Sequence, residues 1–213
     1  MKTFKIHIKE SIFSDVDTIT SNDSALIEQF LRNNYEITGS YTIKDGVVDV
    51  KGRVRVKNTD IESLTNGIFR FGNVNGGFSC PSCLNLKSLK GAPEKVSMWF
   101  NCYRCENLTS LEGAPEEVGG DFDCSYCKNL KSLEGAPEKV GQEFRCGNCP
   151  GLTSLEGSPK EVRWSFVCSR CENLTSLKGA KKVGSFIVCA KCPKLITTGQ
   201  DRKKYKLKYT SEE

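Results

Sequence analysis

The sequence predicts a repeat solenoid whose coils each give a strand to a parallel β-sheet. Three observations carry this. Cys-x-x-Cys pairs recur every 22 residues, at Cys80/Cys83, Cys102/Cys105, Cys124/Cys127, Cys146/Cys149 and Cys168/Cys171, with Cys189/Cys192 following after 21. Around them returns one frame, Phe-x-Cys-x-x-Cys-x-x-Leu-x-x-Leu-x-Gly-Ala-Pro-x-x-Val, one copy of which runs Phe122, Cys124, Cys127, Leu130, Leu133, Gly135, Ala136, Pro137 and Val140. Within Phe-x-Cys the two repeated side chains are two apart, the spacing that puts both on one face of a strand. The last copy reads Gly179-Ala180-Lys181 without the proline, which accounts for its short interval.

A period of this length falls in the range of leucine-rich repeats. The expected fold is therefore a leucine-rich-repeat solenoid. It has a parallel β-sheet on its concave face, return segments of loop or short 3-10 turns, and an N-terminal α/β cap. Phe122 and Cys124 are the inward pair of the strand. Leucine-rich repeats place an Asn or Cys that turns inward at the strand's exit and satisfies backbone groups there, and the resemblance implies this role for Cys127. Leu130 and Leu133 line the core, Gly135 and Pro137 bend the return path, and Val140 re-enters the core. A single coil cannot bury its apolar edge, so stacking is what makes each coil stable.

The solenoid is expected over residues 52–198. A degenerate first coil places Val54-Arg55-Val56 at the strand position, then Thr59, Ile61 and Leu64, with Val74 matching Val96. Residues 1–51 form the N-terminal segment. There Thr3 to Ile8 alternates like a strand. Ser24 to Arg32 reads as a short helix, with Ala25, Leu26 and Phe30 on its apolar side and Asn22 or Asp23 as cap. Tyr41 to Val50 reads as a hairpin about Asp45-Gly46, a favoured two-residue turn. Such a hairpin covers an end that otherwise exposes core and unpaired strand edge. Residues 199–213 form a basic tail or capping strand, with Lys204 to Tyr209 alternating.

The net charge is +5, but acidic and basic residues interleave along most of the chain, against a dedicated polyanion surface. No apolar run approaches a membrane span. The N-terminus alternates and lacks a signal peptide's unbroken apolar region, so a cytoplasmic, reducing location is expected. The twelve cysteines are then free thiols or metal ligands. Zinc would need four of them gathered at one point. The register instead gives one pair per coil at positions that suit a small semi-apolar side chain. Packed core thiols are thus favoured over zinc and over disulfides, and no metal or cofactor is expected. Catalysis needs converging groups, and His7 is the single histidine. No Ser-His-acid set or phosphate-cradling glycine loop can be placed. Glu94, Glu116 and Glu138 recur at one return position as a solvated stripe. No enzymatic activity is expected.

Columns that hold fixed between copies pack. Columns that drift, on the strand face away from the core, are candidates for recognition. The drifting positions supply Trp99, Asn101, Tyr103, Arg104, Asp121, Asp123, Tyr126, Glu143, Arg145, Val167, Arg170, Phe186 and Val188. Exposed Trp, Tyr and Arg dominate binding hot spots, which points to a protein partner on the concave face. Asp121, Asp123 and Glu143 interrupt the arginines, which disfavours nucleic acid. The alternatives are a self-assembling structural protein and a zinc-binding cysteine ladder.

The extended frame Leu-x-Ser-Leu-x-Gly-Ala-Pro-x-x-Val-Gly-Gly-x-Phe-x-Cys, over roughly residues 41–198, resembles a class of short leucine-rich-repeat proteins that tailed bacteriophages often encode. Those relatives often carry Asn where Cys127 stands, and are one residue shorter there. The resemblance implies a solenoid that binds a host or phage protein in the host-cell cytoplasm. By analogy it implies a factor that inhibits or redirects a host protein, including an immune one.

Overall fold

A computed structural model describes residues 21–65 and 67–208. The strand expected at Thr3 to Ile8, and His7 within it, lie outside the described residues. The described chain opens with α1 (Ser21–Asn34), β1 (Tyr35–Lys44) and β2 (Val47–Val56). Asp45 and Gly46 join the strands with φ of 49° and 68°. Positive φ at both central residues is what a type I′ hairpin turn requires. The expected hairpin is therefore present and longer than Tyr41–Val50, pairing Tyr35 with Val56 at its far end.

The frame then closes into a parallel β-solenoid of about seven turns. One ladder carries the phenylalanines. It comprises β4 (Phe78–Ser79), β6 (Phe100–Asn101), β8 (Phe122–Asp123), β10 (Phe144–Arg145), β12 (Phe166–Val167) and β14 (Phe186–Val188). Phe lies in register over Phe, and Ile187 continues the column. A second parallel ladder runs along the return path. It comprises β3 (Arg70–Val74), β5 (Lys95–Val96), β7 (Glu117–Val118), β9 (Lys139–Val140), β11 (Glu161–Val162) and β13 (Lys182–Val183). The sequence reading treats Val140 only as a residue re-entering the core. It is in fact the inward residue of a short strand. β2 is the first rung of both ladders, pairing β3 through Val47–Val50 and β4 through Val54 and Arg55. It turns from one to the other around Gly52. Between ladders the chain makes isolated i→i+3 turns, as in Leu130 N to Cys127 O (3.1 Å) and Ala136 N to Leu133 O (3.0 Å).

The inward columns are dry. Phe78, Phe100, Phe122 and Phe144 are fully buried, as are Leu130, Leu133 and their counterparts in neighbouring coils. In the degenerate first coil Val54 pairs with Phe78 and Val74 with Val96, Ile61 and Leu64 are buried, and Thr59 is exposed.

The Gly-Ala-Pro bend carries a glycine for two separable reasons. Gly135 has φ +84°, and a Cβ there would lie 2.5 Å from the backbone of Glu112 in the preceding coil. Gly67 has nearly the same φ, +87°, with nothing within 4 Å. Gly67→Ala should then cost only the left-handed backbone penalty, about 1–2 kcal/mol. Gly135→Ala should add about 1–3 kcal/mol of overpacking. Urea unfolding of the two variants measures the difference. Equal losses would mean that the close approach of coils does not restrict this bend.

Both ends are closed by a tyrosine. Tyr35 is buried and its hydroxyl donates to the Leu64 carbonyl. α1 packs over it, but with a different face from the one expected. Ile27 and Leu31 are buried and Phe30 partly so, whereas Ala25 and Leu26 are exposed. The buried set is i, i+3, i+4, one stripe of a helix, and Leu26 falls outside it. Asn22 and Asp23 lie within the helix, over Ser21–Asn34, instead of capping it. At the other end α2 (Gly199–Lys204) starts from a capping box between Thr198 and Asp201. Tyr205 follows, buried, its hydroxyl donating to the Ala180 carbonyl. β15 (Lys206–Lys208) then pairs with β14. The expected capping strand is thus there, preceded by a short helix. No helix among the described residues is long and apolar enough to cross a membrane.

Candidate binding face and thiol ladder

Along the phenylalanine ladder the backbone bonds continue past the two paired residues. Phe122 N, Cys124 N and Tyr126 N donate to Glu143 O, Arg145 O and Gly147 O, each at 2.9 Å. The outward residues therefore form three columns. The middle one runs Ser79, Asn101, Asp123, Arg145, Val167, Val188 in direct register. Trp99, Asp121, Glu143 and Phe186 belong to the column before it. Tyr103 belongs to the column after it.

Arg104, Tyr126 and Arg170 do not share this face in the way strand alternation suggests. They occupy a separate edge column, with Ser82, Asn148 and Lys191, in which every residue has φ between 55° and 63°. That left-handed step turns the chain so that the next residue, the second cysteine, points into the core. It costs an L-residue about 1–2 kcal/mol, yet this column contains no glycine.

The candidate residues then fall into three groups. At the N-terminal side, the Trp99 indole lies against Gly77, where a Cβ would sit 2.3 Å from its ring. Tyr103 packs on Tyr126 with ring centroids 5.0 Å apart, and Arg104 is exposed beside Glu106 at 3.4 Å. In the centre Arg145 is held between Asp121 (2.8 Å) and Glu143 (2.6 Å). Its guanidinium stays protonated even more firmly than usual: burial opposes the charge, but the hydrogen bond to Asp121 and the neighbouring carboxylates outweigh it. At the C-terminal side Val167 and Val188 are half-buried neighbours, and Phe186 is 41% exposed. The Arg170 side chain makes no ion pair with any described residue.

Two candidates have a local structural task. Asn101 Oδ1 accepts from Tyr103 N (2.8 Å) and Asp123 Oδ1 from Ser125 N (2.9 Å), each bracing the strand's exit as an Asx turn does. One residue escaped the sequence reading, Met98, and a second, Trp164, is read from the sequence as packing at the sheet's edge. They share one column at the corner between ladders, where Trp164 is 52% exposed. The available signal was their common place two residues before Phe.

The valine-ladder face is different in kind. Its outward residues alternate in sign through Lys95, Glu117, Lys139, Glu161 and Lys182. Lys139 lies 3.3 Å from Glu117 and Lys182 2.8 Å from Glu161. Hydrogen bonds from these lysines hold both carboxyls below their usual range. Exposed pairs of this sort contribute little stability. They leave a self-neutralised, solvated surface.

Inside, from Cys105 onward, the second cysteine of each pair donates to the carbonyl of the first cysteine in the preceding coil. Cys105 Sγ lies 3.0 Å from Cys80 O, Cys127 Sγ 3.4 Å from Cys102 O, and Cys171 Sγ 3.3 Å from Cys146 O. The thiols thus satisfy strand-exit carbonyls, the role expected of this column. Burial pushes the Cys124, Cys146 and Cys168 thiols up, and that of Cys171 up to about 12. Among the described residues no three or more Cys, His, Asp or Glu side chains are placed to share a metal ion. No protein-family model, curated protein or solved structure matches the chain.

Proposed function

We propose that the protein is a non-enzymatic binding module that holds another protein against the outward face of its phenylalanine ladder. The observation that carries this is the contrast between columns. Inward positions repeat the same residue from coil to coil. The outward ones drift along the ladder and present Trp99, Tyr103 and Phe186, with Tyr126 on the adjoining edge column, all partly or well exposed. Aromatic side chains of this kind serve as anchors in interfaces. The Asp121–Arg145–Glu143 cluster between them supplies fixed charge for orientation and selectivity. The resemblance of the repeat frame to phage-encoded solenoids supports a host or phage protein as the partner. It also supports inhibition or redirection of a host factor as the outcome.

The test uses three immobilised baits in host lysate, read by mass spectrometry. They are wild type, Tyr103→Ala/Tyr126→Ala/Phe186→Ala, and a Lys139→Ala control on the opposite face. A protein held by wild type and by the control, and weakened at least about thirtyfold by the triple variant, is expected for loss of even one hot-spot anchor. If all three baits retain the same proteins, or folded wild type retains none, the proposal fails.

A further inference from the structure

We propose that the protein assembles as a twofold dimer through antiparallel pairing of β1 with β1 of a second copy, end to end along the solenoid axis. This is independent of the binding face above. The two ends of the solenoid treat their edge strands differently. β15, at the C-terminal end, reads Lys-Leu-Lys over its described residues, the lysine-guarded edge that blocks further pairing. β1, at the N-terminal end, is ten residues long, has one lysine and no proline. It pairs with β2 on one side, and no described residue pairs with its other side.

The sequence of β1 is self-complementary in one register. Ile37, Tyr41 and Ile43 are partly buried against the core, while Glu36, Thr38, Ser40, Thr42 and Lys44 are exposed. Antiparallel partners must therefore match odd with odd and even with even, or the apolar face of one copy meets the polar face of the other. Centring the pair on Ser40 does this. It puts Glu36 opposite Lys44 twice, Ile37 opposite Ile43, Thr38 opposite Thr42, and Tyr41 over Gly39. Opposite charges, β-branched pairs and an aromatic over a cross-strand glycine are each favourable contacts. The register two residues away sets Gly39 against itself and loses both charge pairs.

The bend of the hairpin fits the same symmetry. β2 passes from one ladder to the other around Gly52, and Gly39 lies opposite it with φ +88°. The two legs of β1 thus meet beside Ser40. A twofold axis through that corner brings each leg of one copy onto the opposite leg of the other.

Light scattering coupled to size exclusion tests this on the full chain. Wild type is expected at twice 23.6 kDa. Glu36→Lys turns two attractive pairs into repulsive ones and should weaken the dimer roughly ten- to a hundredfold. The double swap Glu36→Lys/Lys44→Glu should restore it, with circular dichroism confirming that each variant folds. A monomeric wild type overturns the proposal and leaves the edge to a strand of a different protein. So does a dimer indifferent to Glu36→Lys, which places the contact elsewhere. Failure of the double swap to rescue overturns the Ser40-centred register and the pairing inferred from it.

Discussion

Raising the pH from about 8 to about 10 is expected to unfold the protein, because eight of its buried thiols stay neutral while those of the unfolded chain ionise. Cys83, Cys102, Cys105, Cys124, Cys146, Cys149, Cys168 and Cys171 all have their pKa raised above the ordinary value of 9.0. The main causes are desolvation and the hydrogen bonds of one thiol to the next. A group whose folded pKa is raised contributes its full stability below the unfolded pKa. That contribution is lost as pH climbs toward the folded value. Above about pH 9 each such thiol removes up to about 1.4 kcal/mol per pH unit. Cys192 is less buried and contributes less. Several thiols acting together match the whole stability of an ordinary domain, about 5–15 kcal/mol. The check is a series of thermal melts in reducing buffer across this range, with native alkylation as a second readout.

The direction of that pH dependence also separates the two readings of the cysteines. Thiolates held by zinc must be deprotonated to bind, so a metal-dependent fold weakens in acid and in chelator. A fold built on packed thiols weakens in alkali and ignores chelator. A melting temperature that is flat to about pH 10 and falls below about pH 6 would overturn the packed-thiol ladder.

Legibility followed repetition. The Phe, Cys and Leu columns were readable because inward positions must repeat to pack coil on coil. Asp45-Gly46 was readable because only a narrow set of residues makes that turn. The valine ladder was not, since a two-residue strand such as Lys139–Val140 is too short to show alternation. The left-handed column escaped because Arg104, Tyr126 and Arg170 carry no glycine signal for positive φ. The side of α1 that packs was misread because Leu26 is as apolar as its neighbour Ile27, and only the hairpin beneath the helix chooses between them. Of the candidate face, the columns were legible and the groupings were not. The Asp121–Arg145–Glu143 cluster depends on side chains meeting across adjacent coils. Nor does the frame reveal that Asn101 and Asp123 brace strand exits. The serine of Leu-x-Ser-Leu is a related case: Ser132 Oγ accepts from Glu134 N at 3.0 Å, so its recurrence is a turn requirement.

Phe122→Ala is expected to cost about 3–5 kcal/mol, the range for emptying a packed aromatic site. Phe122 is fully buried, and its ring stacks on Phe100 at 5.2 Å and on Phe144 at 5.3 Å, within 8° of parallel on both sides. In a solenoid each coil is stabilised chiefly by its two neighbours, so one truncation in the middle weakens two interfaces. The loss should therefore appear in the shape of the transition as well as its midpoint. Urea unfolding of Phe122→Ala should broaden, as the coils on either side of the gap begin to unfold separately and the apparent m-value falls. Phe166→Ala provides the comparison. Its ring has one aromatic neighbour in the stack, Phe144, tilted by 36°, and aliphatic Ile187 on the other side. That variant should loosen the C-terminal coils and leave a sharp transition for the rest. If Phe122→Ala instead unfolds in one transition as sharp as wild type, with a loss below about 1.5 kcal/mol, the stack is not what couples the coils. The cysteine and leucine columns, unbroken through the same coil, would then be the elements that transmit cooperativity.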